Sequence, residues 1–378
     1  MPTKHALLSA SSSARWLACP PSALLCAEVP DQGSSYAQQG TDAHSLCEYL
    51  LLKALGRKAR DPTEDLSYYD EEMQISAEGY RDFVIEQVEA AKKHSDVEVN
   101  VEQRLDFSRW VPKAFGTGDC VIAADGLIHI IDFKYGVGVP VSAGGEDETG
   151  NTQLKCYALG ALDAYDFLYD IQEIRLSIYQ PRRENVDTFT LSRADLLSWA
   201  DKVLAPTAKL AMAGKGDFCA GSHCKFCKIK ASCRARAEYS MELAKYDFQD
   251  PAELGSDEIA VILPKIDSMV SWAQDVKDYA LEQALGGVKY KGFKVVEGRS
   301  NRKYTNDAEV AEIVKAAGFD PYEKKLLGVT AMTRELGKKR FDELLGGLIY
   351  KPPGKPVLVS MDDKRPEMNA AANDFMED

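Results

Sequence analysis

The 378-residue chain has a net charge of −13, with 45% hydrophobic and 28% charged residues, the proportions of one large folded domain or two modest ones rather than of a disordered or fibrous chain. No run of about 18 apolar residues could span a bilayer and the N-terminus lacks a continuous apolar export segment, so a cytoplasmic protein without membrane contact is expected. Nine cysteines in such a setting point to packing, catalysis or metal instead of a disulfide framework, and the acidic balance excludes a protein that coats nucleic acid with uniform positive charge.

In chain order, residues 36–56 carry apolar side chains at helical spacing, with Thr41 or Asp42 placed to cap the start and Gly56 to stop it. A second helical pattern covers Glu71 to Lys93. Three strand-length segments follow: VEVNVEQRLDF, GDCVIAA and LIHIIDFKY, the last two joined by the tight-turn chemistry of Asp125-Gly126. Asn151 to Leu168 returns to helical period, Ile174 to Gln180 reads as a strand, Val186 to Leu191 as an edge strand, and Ser192 to Ala213 as a helix. The expected class is α/β, ordered helix, three strands, helix, strand. A division near residue 245 gives a domain over 1–245, a helical and mixed α/β accessory region over 246–350, and a flexible tail over 351–378, where composition is poor in packing residues.

The strongest catalytic signal is GTGDCVIAADGLIHIIDFKYG, in which Asp119 begins one strand and Asp132-Phe133-Lys134 ends the next. Hairpin pairing brings the two acids together, and strand alternation points Asp132 and Lys134 the same way while Phe133 turns to the core and leaves its carbonyl available. Two carboxylates and a backbone oxygen suit Mg²⁺ or Mn²⁺, with Lys134 above the same site. Glu48 and Glu102 are weaker candidates, read by default as a helix-face charge and a strand-end acid.

These residues resemble the D…(D/E)xK core of the PD-(D/E)XK nucleases. Gly40-Thr41-x-x-His44 is similar to the G-x-x-x-H motif of RecB-type nuclease domains, and Gln153-x-x-x-Tyr157 to their Q-x-x-x-Y motif; the likeness covers roughly residues 10–237. The Ser-rich segment leading to Trp16-Leu17-Ala18-Cys19-Pro20 resembles the opening of a phage-encoded, RecB-like family of unassigned role. The resemblance implies a restriction-endonuclease-like core and phosphodiester hydrolysis of DNA, as an exonuclease on DNA ends in recombination or replication. It further implies His44, Asp119, Asp132 and the Phe133 carbonyl as ligands of Mg²⁺ or Mn²⁺, Lys134 as the residue that positions water and stabilises charge, and Gln153 and Tyr157 as residues that orient the substrate strand. DNA ends or single strands are then the expected partners, with a single-stranded DNA-binding or recombination protein beside them.

Cys224-x-x-Cys227 followed by Cys233 suits a shared metal, and spacing alone leaves the fourth ligand open between Cys219 and Cys19. Four local cysteines with Cys219 would suit Zn²⁺. In RecB-like nucleases of the AddB type, one cysteine ahead of the core joins three after it around a 4Fe-4S cluster, and that resemblance implies Cys19, Cys224, Cys227 and Cys233. Such a cluster staples the N-terminal segment to the helix after the core. Cys26, Cys47, Cys120 and Cys156 are expected as buried or free thiols. Two basic islands, Lys225 to Arg236 and Lys289 to Lys303, stand on the acidic background as candidate contacts to a nucleic-acid backbone. The second is flanked by aromatics suited to stacking on single strands, although a surface strand pair explains it as well. Two rival readings are a non-catalytic DNA-binding or assembly module on the same fold, and a zinc-ribbon protein of unrelated function.

Overall fold

The computed structural model describes residues 6–30, 35–138, 140–145, 147–242, 255–297, 304–322 and 326–350. They fall in two compact units, Met1–Ala280 and Leu281–Asp378. The expected division near residue 245 and the expected tail over 351–378 both lie outside the described residues.

The first unit opens with α1 (Ser13–Ala18) and α2 (Ser22–Ala27), followed by the long helices α3 (Ser35–Ala54) and α4 (Glu71–Lys92). Asp70 caps α4 by accepting the Met73 N–H at 2.7 Å. Neither Thr41 nor Asp42 caps α3, which already runs from Ser35. Asp42 is buried within it and accepts from the Tyr68 N–H and from Gln38, both at 2.8 Å. Its carboxylate therefore ties down the loop ahead of α4. Gly56 does end the helix, at a φ of 71° that a side chain would disfavour.

Strands β1 (Val97–Asp106), β2 (Phe115–Ala124), β3 (Gly126–Phe133), β4 (Ile171–Gln180) and β5 (Asn185–Ser192) form one mixed sheet in the order β1-β2-β3-β4-β5. All pairs are antiparallel except β3 and β4. A parallel pair needs a crossover, supplied by α5 (Thr152–Tyr165), whose start Asn151 caps by accepting from the N–H groups of Gln153 and Leu154. The central strands are apolar on both faces because both are covered. Val121, Ala123, Ile128 and Ile130 pack toward α5, while Cys120, Ile122, Ile131 and Phe133 pack toward α3 and α4. Strand β5 alternates half-buried and exposed positions as an edge strand does.

The helix expected over 192–213 is present as α6 (Arg193–Trp199) and α7 (Ala205–Met212), joined by a π-helical turn, Ala200–Leu204. Pro206 explains the wide turn: its ring would crowd the carbonyl four residues back in a regular helix. Then come α8 (Arg234–Met241) and α9 (Ser256–Leu285). The second unit contains α10 (Asp307–Ala316), α11 (Val329–Leu336) and α12 (Lys338–Leu345).

The C-terminal extension, expected as helical and mixed α/β, holds helices and no strand among the described residues. Residues 288–297 form no strand, turn at Lys291-Gly292, where the Phe293 N–H donates to the Tyr290 carbonyl at 3.1 Å, and leave Phe293 and Val296 exposed. The rest of that basic stretch, Arg299 to Lys303, lies outside the described residues. Among those described, no helix is long and apolar enough to cross a membrane.

Candidate functional site

Asp119 stands mid-strand in β2, four residues later than a strand start, and Asp132 stands next to the end of β3. The β2–β3 register, Cys120 opposite Ile131, sets them side by side, and the Phe133 N–H donates to Asp119 Oδ2 at 2.7 Å. From the other side, α3 delivers His44, whose ring meets the Phe133 ring edge-on at 5.5 Å and whose Nδ1 lies 3.3 Å from Asp119 Oδ1.

Glu102 completes this group in a way the strand pattern hides. The β1–β2 ladder pairs Val101 with Cys120 and Gln103 with Gly118, and Glu102 between them turns to a φ of 49°. A non-glycine residue in that region is strained by roughly 1–3 kcal/mol, a cost that clusters at working sites. Its carboxylate comes 4.0 Å from His44 Nδ1. Candidate ligand atoms of His44, Glu102 and Asp119 all lie within 4.8 Å of one another, the one such trio among the described residues. The left-handed kink is the feature that sequence could not signal; Glu102 as a nearby acid was visible.

Asp132 is turned otherwise. It is buried, its Oδ2 lies 2.9 Å from the Lys134 ammonium, and its Oδ1 accepts from Gln153 at 3.3 Å. Gln153 also accepts from Lys134 at 3.3 Å and donates to the Tyr157 hydroxyl at 3.0 Å. The QxxxY pair thus meets across one helical turn and orders the lysine. Tyr157 is only 5% exposed, packed beside Gly116, so its contact is with Gln153 rather than with solvent.

The electrostatics follow from this crowding. Burial opposes a charged His44, but the Asp119 carboxylate, with Asp132 and Glu102 behind it, lifts its pKa to about 9. Burial and the neighbouring Asp119 raise Glu102 to about 7. Asp119, although buried, is held below the usual carboxylate range by His44, Lys134 and the Phe133 N–H, while burial raises Asp132. Lys134 pays a desolvation penalty and is nonetheless kept protonated by Asp132 and Asp119. An excess of carboxylate held in place around one imidazole is a donor set for a divalent cation.

A second centre lies at the N-terminal segment. Cys19 ends α1, and a 3₁₀ turn over Ser222–Phe226 carries Cys224, with Cys227 just after it and Cys233 at the start of α8. Cys19, Cys219, Cys224, Cys227 and Cys233 line one cavity together with Arg15 and His223. The cysteines nineteen and more than two hundred residues along the chain thus face the same space. Cys219 is exposed, whereas Cys19, Cys224 and Cys227 are buried. No three of these sulfurs are within 4.8 Å of one another. Tetrahedral Zn²⁺ would hold them about 3.8 Å apart, from Zn–S bonds near 2.3 Å; a cluster gives each cysteine a different iron and spaces them more widely. The basic island there is partly consumed: Asp275 of α9 sits 2.7 Å from Lys230 and 2.6 Å from Arg236.

A family model described as "Protein of unknown function (DUF2800)" matches residues 5–366. Among solved structures, the chain is similar to the one named "Crystal structure of SSO0001", at 13% identity over 52% of this chain and 98% of that one, with a TM-score of 0.23, too low a likeness to bear on function.

Proposed function

The chain belongs to the DUF2800 family of unknown function, and we propose that it is a metal-dependent deoxyribonuclease built on a RecB-like PD-(D/E)XK core, with a 4Fe-4S cluster as a structural staple. The observation that carries the reading is the convergence of His44, Glu102 and Asp119 next to an Asp132–Lys134 pair. His44, Asp119 and Glu102, with Asp132 and the Phe133 carbonyl alongside, would hold Mg²⁺ or Mn²⁺. The imidazole tilts the choice toward Mn²⁺, since Mg²⁺ prefers an all-oxygen shell. When bound, the cation supplies charge that polarises a phosphoryl group and eases deprotonation of water.

The chain's own residues do the rest. Lys134 keeps its proton between two carboxylates and so presents a fixed positive charge to the phosphate as negative charge builds in the transition state. Gln153 bridges Asp132, Lys134 and Tyr157 and fixes the ammonium's position. Asp132 orients Lys134 from the other side. Cys19, Cys224, Cys227 and Cys233 would hold the cluster; the burial of Cys19 in the cavity, against the exposure of Cys219, favours that donor set over the zinc alternative. DNA ends or single strands are the proposed substrate and a cytoplasmic recombination or replication role the proposed setting.

The test is anaerobic digestion of end-labelled linear, nicked and circular DNA with Mn²⁺ or Mg²⁺, iron being quantified on the same sample. Asp132→Ala and Lys134→Ala should each lower cleavage by at least about a hundredfold, the scale of losing one charge-stabilising group, with folding retained. Full activity in either variant removes the assignment. A salt-sensitive DNA shift without any cleavage would instead favour a binding scaffold.

A further inference from the structure

We propose that Cys26 and Cys227 form a redox-labile thiol pair, a modification site at which peroxide links the N-terminal segment to the cysteine turn through a disulfide. The two sulfurs lie 3.6 Å apart although 201 residues separate them in the chain. Cys26 belongs to α2 and does not line the cavity shared by the other cysteines, whereas Cys227 does. Cys227 therefore has two faces: one toward the cavity, one toward Cys26. Cys26 thus stands outside the set of cysteines that line the cavity.

The surroundings hold the pair in register. Lys228, next to Cys227, donates to the Val29 carbonyl just past α2 at 2.9 Å, and Arg15 donates to the Ser22 carbonyl at the start of α2 at 2.7 Å. Both thiols are nearly buried, Cys26 at 4% and Cys227 at 8% exposure.

The chemistry balances with hydrogen peroxide as oxidant. One sulfur of the pair attacks peroxide, giving a sulfenic acid and one water. The other sulfur then attacks that sulfenic sulfur and expels a second water, so two thiols and one peroxide yield one disulfide and two waters. The resulting crosslink spans the same segments that a cluster would staple, and it consumes Cys227. The pair does not depend on the nuclease reading.

The full-length protein, stripped of metal anaerobically, is treated with one equivalent of hydrogen peroxide, digested without reductant and mapped by mass spectrometry. A peptide joining Cys26 to Cys227, two hydrogens lighter than the separate thiols and cleaved by dithiothreitol, is expected. It should persist in Cys219→Ala, which removes the exposed thiol, and vanish in Cys26→Ser. An unchanged thiol count, or Cys227 joined instead to Cys19, Cys224 or Cys233, overturns the proposal. A parallel iron-loaded sample separates the two readings: slower linkage supports both, whereas equal linkage upholds the pair and removes Cys227 from the cluster ligands.

Discussion

At the scale of single residues, His44 is set between burial, which opposes its charge, and Asp119, which favours it strongly enough to lift its pKa from 6.5 to about 9. A folded-state pKa above the unfolded one means that the pairing stabilises the cation-free protein fully below about pH 6.5 and is lost as pH rises through about 9. Glu102, raised from 4.5 to about 7, acts in the same sense over a lower window. The melting temperature in chelator should therefore fall as pH is raised from about 6 to 9, and Asp119→Asn should flatten that slope. Cation binding needs neutral His44 and so displaces a proton; the apparent Kd for Mn²⁺ should tighten over the same range. A chelated protein equally stable at pH 6 and 9 would discredit this account of the site.

Between elements, the site depends on how closely α5 approaches the sheet. At Gly160 an added Cβ would come 2.9 Å from the Leu105 Cβ and 3.0 Å from its carbonyl carbon, which the backbone of β1 cannot evade. Gly160→Ala should cost about 1–3 kcal/mol in denaturant melts, the usual penalty of overpacking. At Gly116 the obstacle is instead the Tyr157 ring, 2.5 Å away, which a methyl group would push aside. Gly116→Ala should thus lower cleavage more than its loss of stability explains, because Tyr157 supports Gln153 and through it Lys134. Equal loss of activity and stability in both variants would show that Tyr157 has no part in ordering the lysine.

For the first unit as a whole, the cysteine cavity joins the segment at Cys19 to the turn at Cys224 and Cys227, so whatever occupies it closes nearly the entire domain. Loop-closure entropy for a crosslink of that length is worth about 5 kcal/mol. Cys233→Ala should lose bound iron and the brown colour of a cluster, and should lower stability by an amount of that order. Colourless wild-type protein containing zinc would reverse the choice of metal. Asp275, which pairs with Lys230 and Arg236, additionally fastens α9 to the same turn.

The sequence by itself determined the elements and the candidates. Alternation in β2 and β3, the helical period of α3, α4 and α5, and the i, i+4 spacing of Gln153 and Tyr157 are local signals, readable within a few residues because each is set by backbone geometry alone. Strand alternation sufficed to single out Asp119, Asp132 and Lys134 before any contact was known, while His44 entered through the resemblance of Gly40-x-x-x-His44 to a nuclease motif. Only the tertiary structure decided which atoms meet. The left-handed turn at Glu102, the bridging of Asp132 and Lys134 by Gln153 from α5, and the approach of Cys26 to Cys227 each depend on a neighbour supplied by another element. Packing brings such groups together, and no period or composition within one segment records which neighbour another segment will supply.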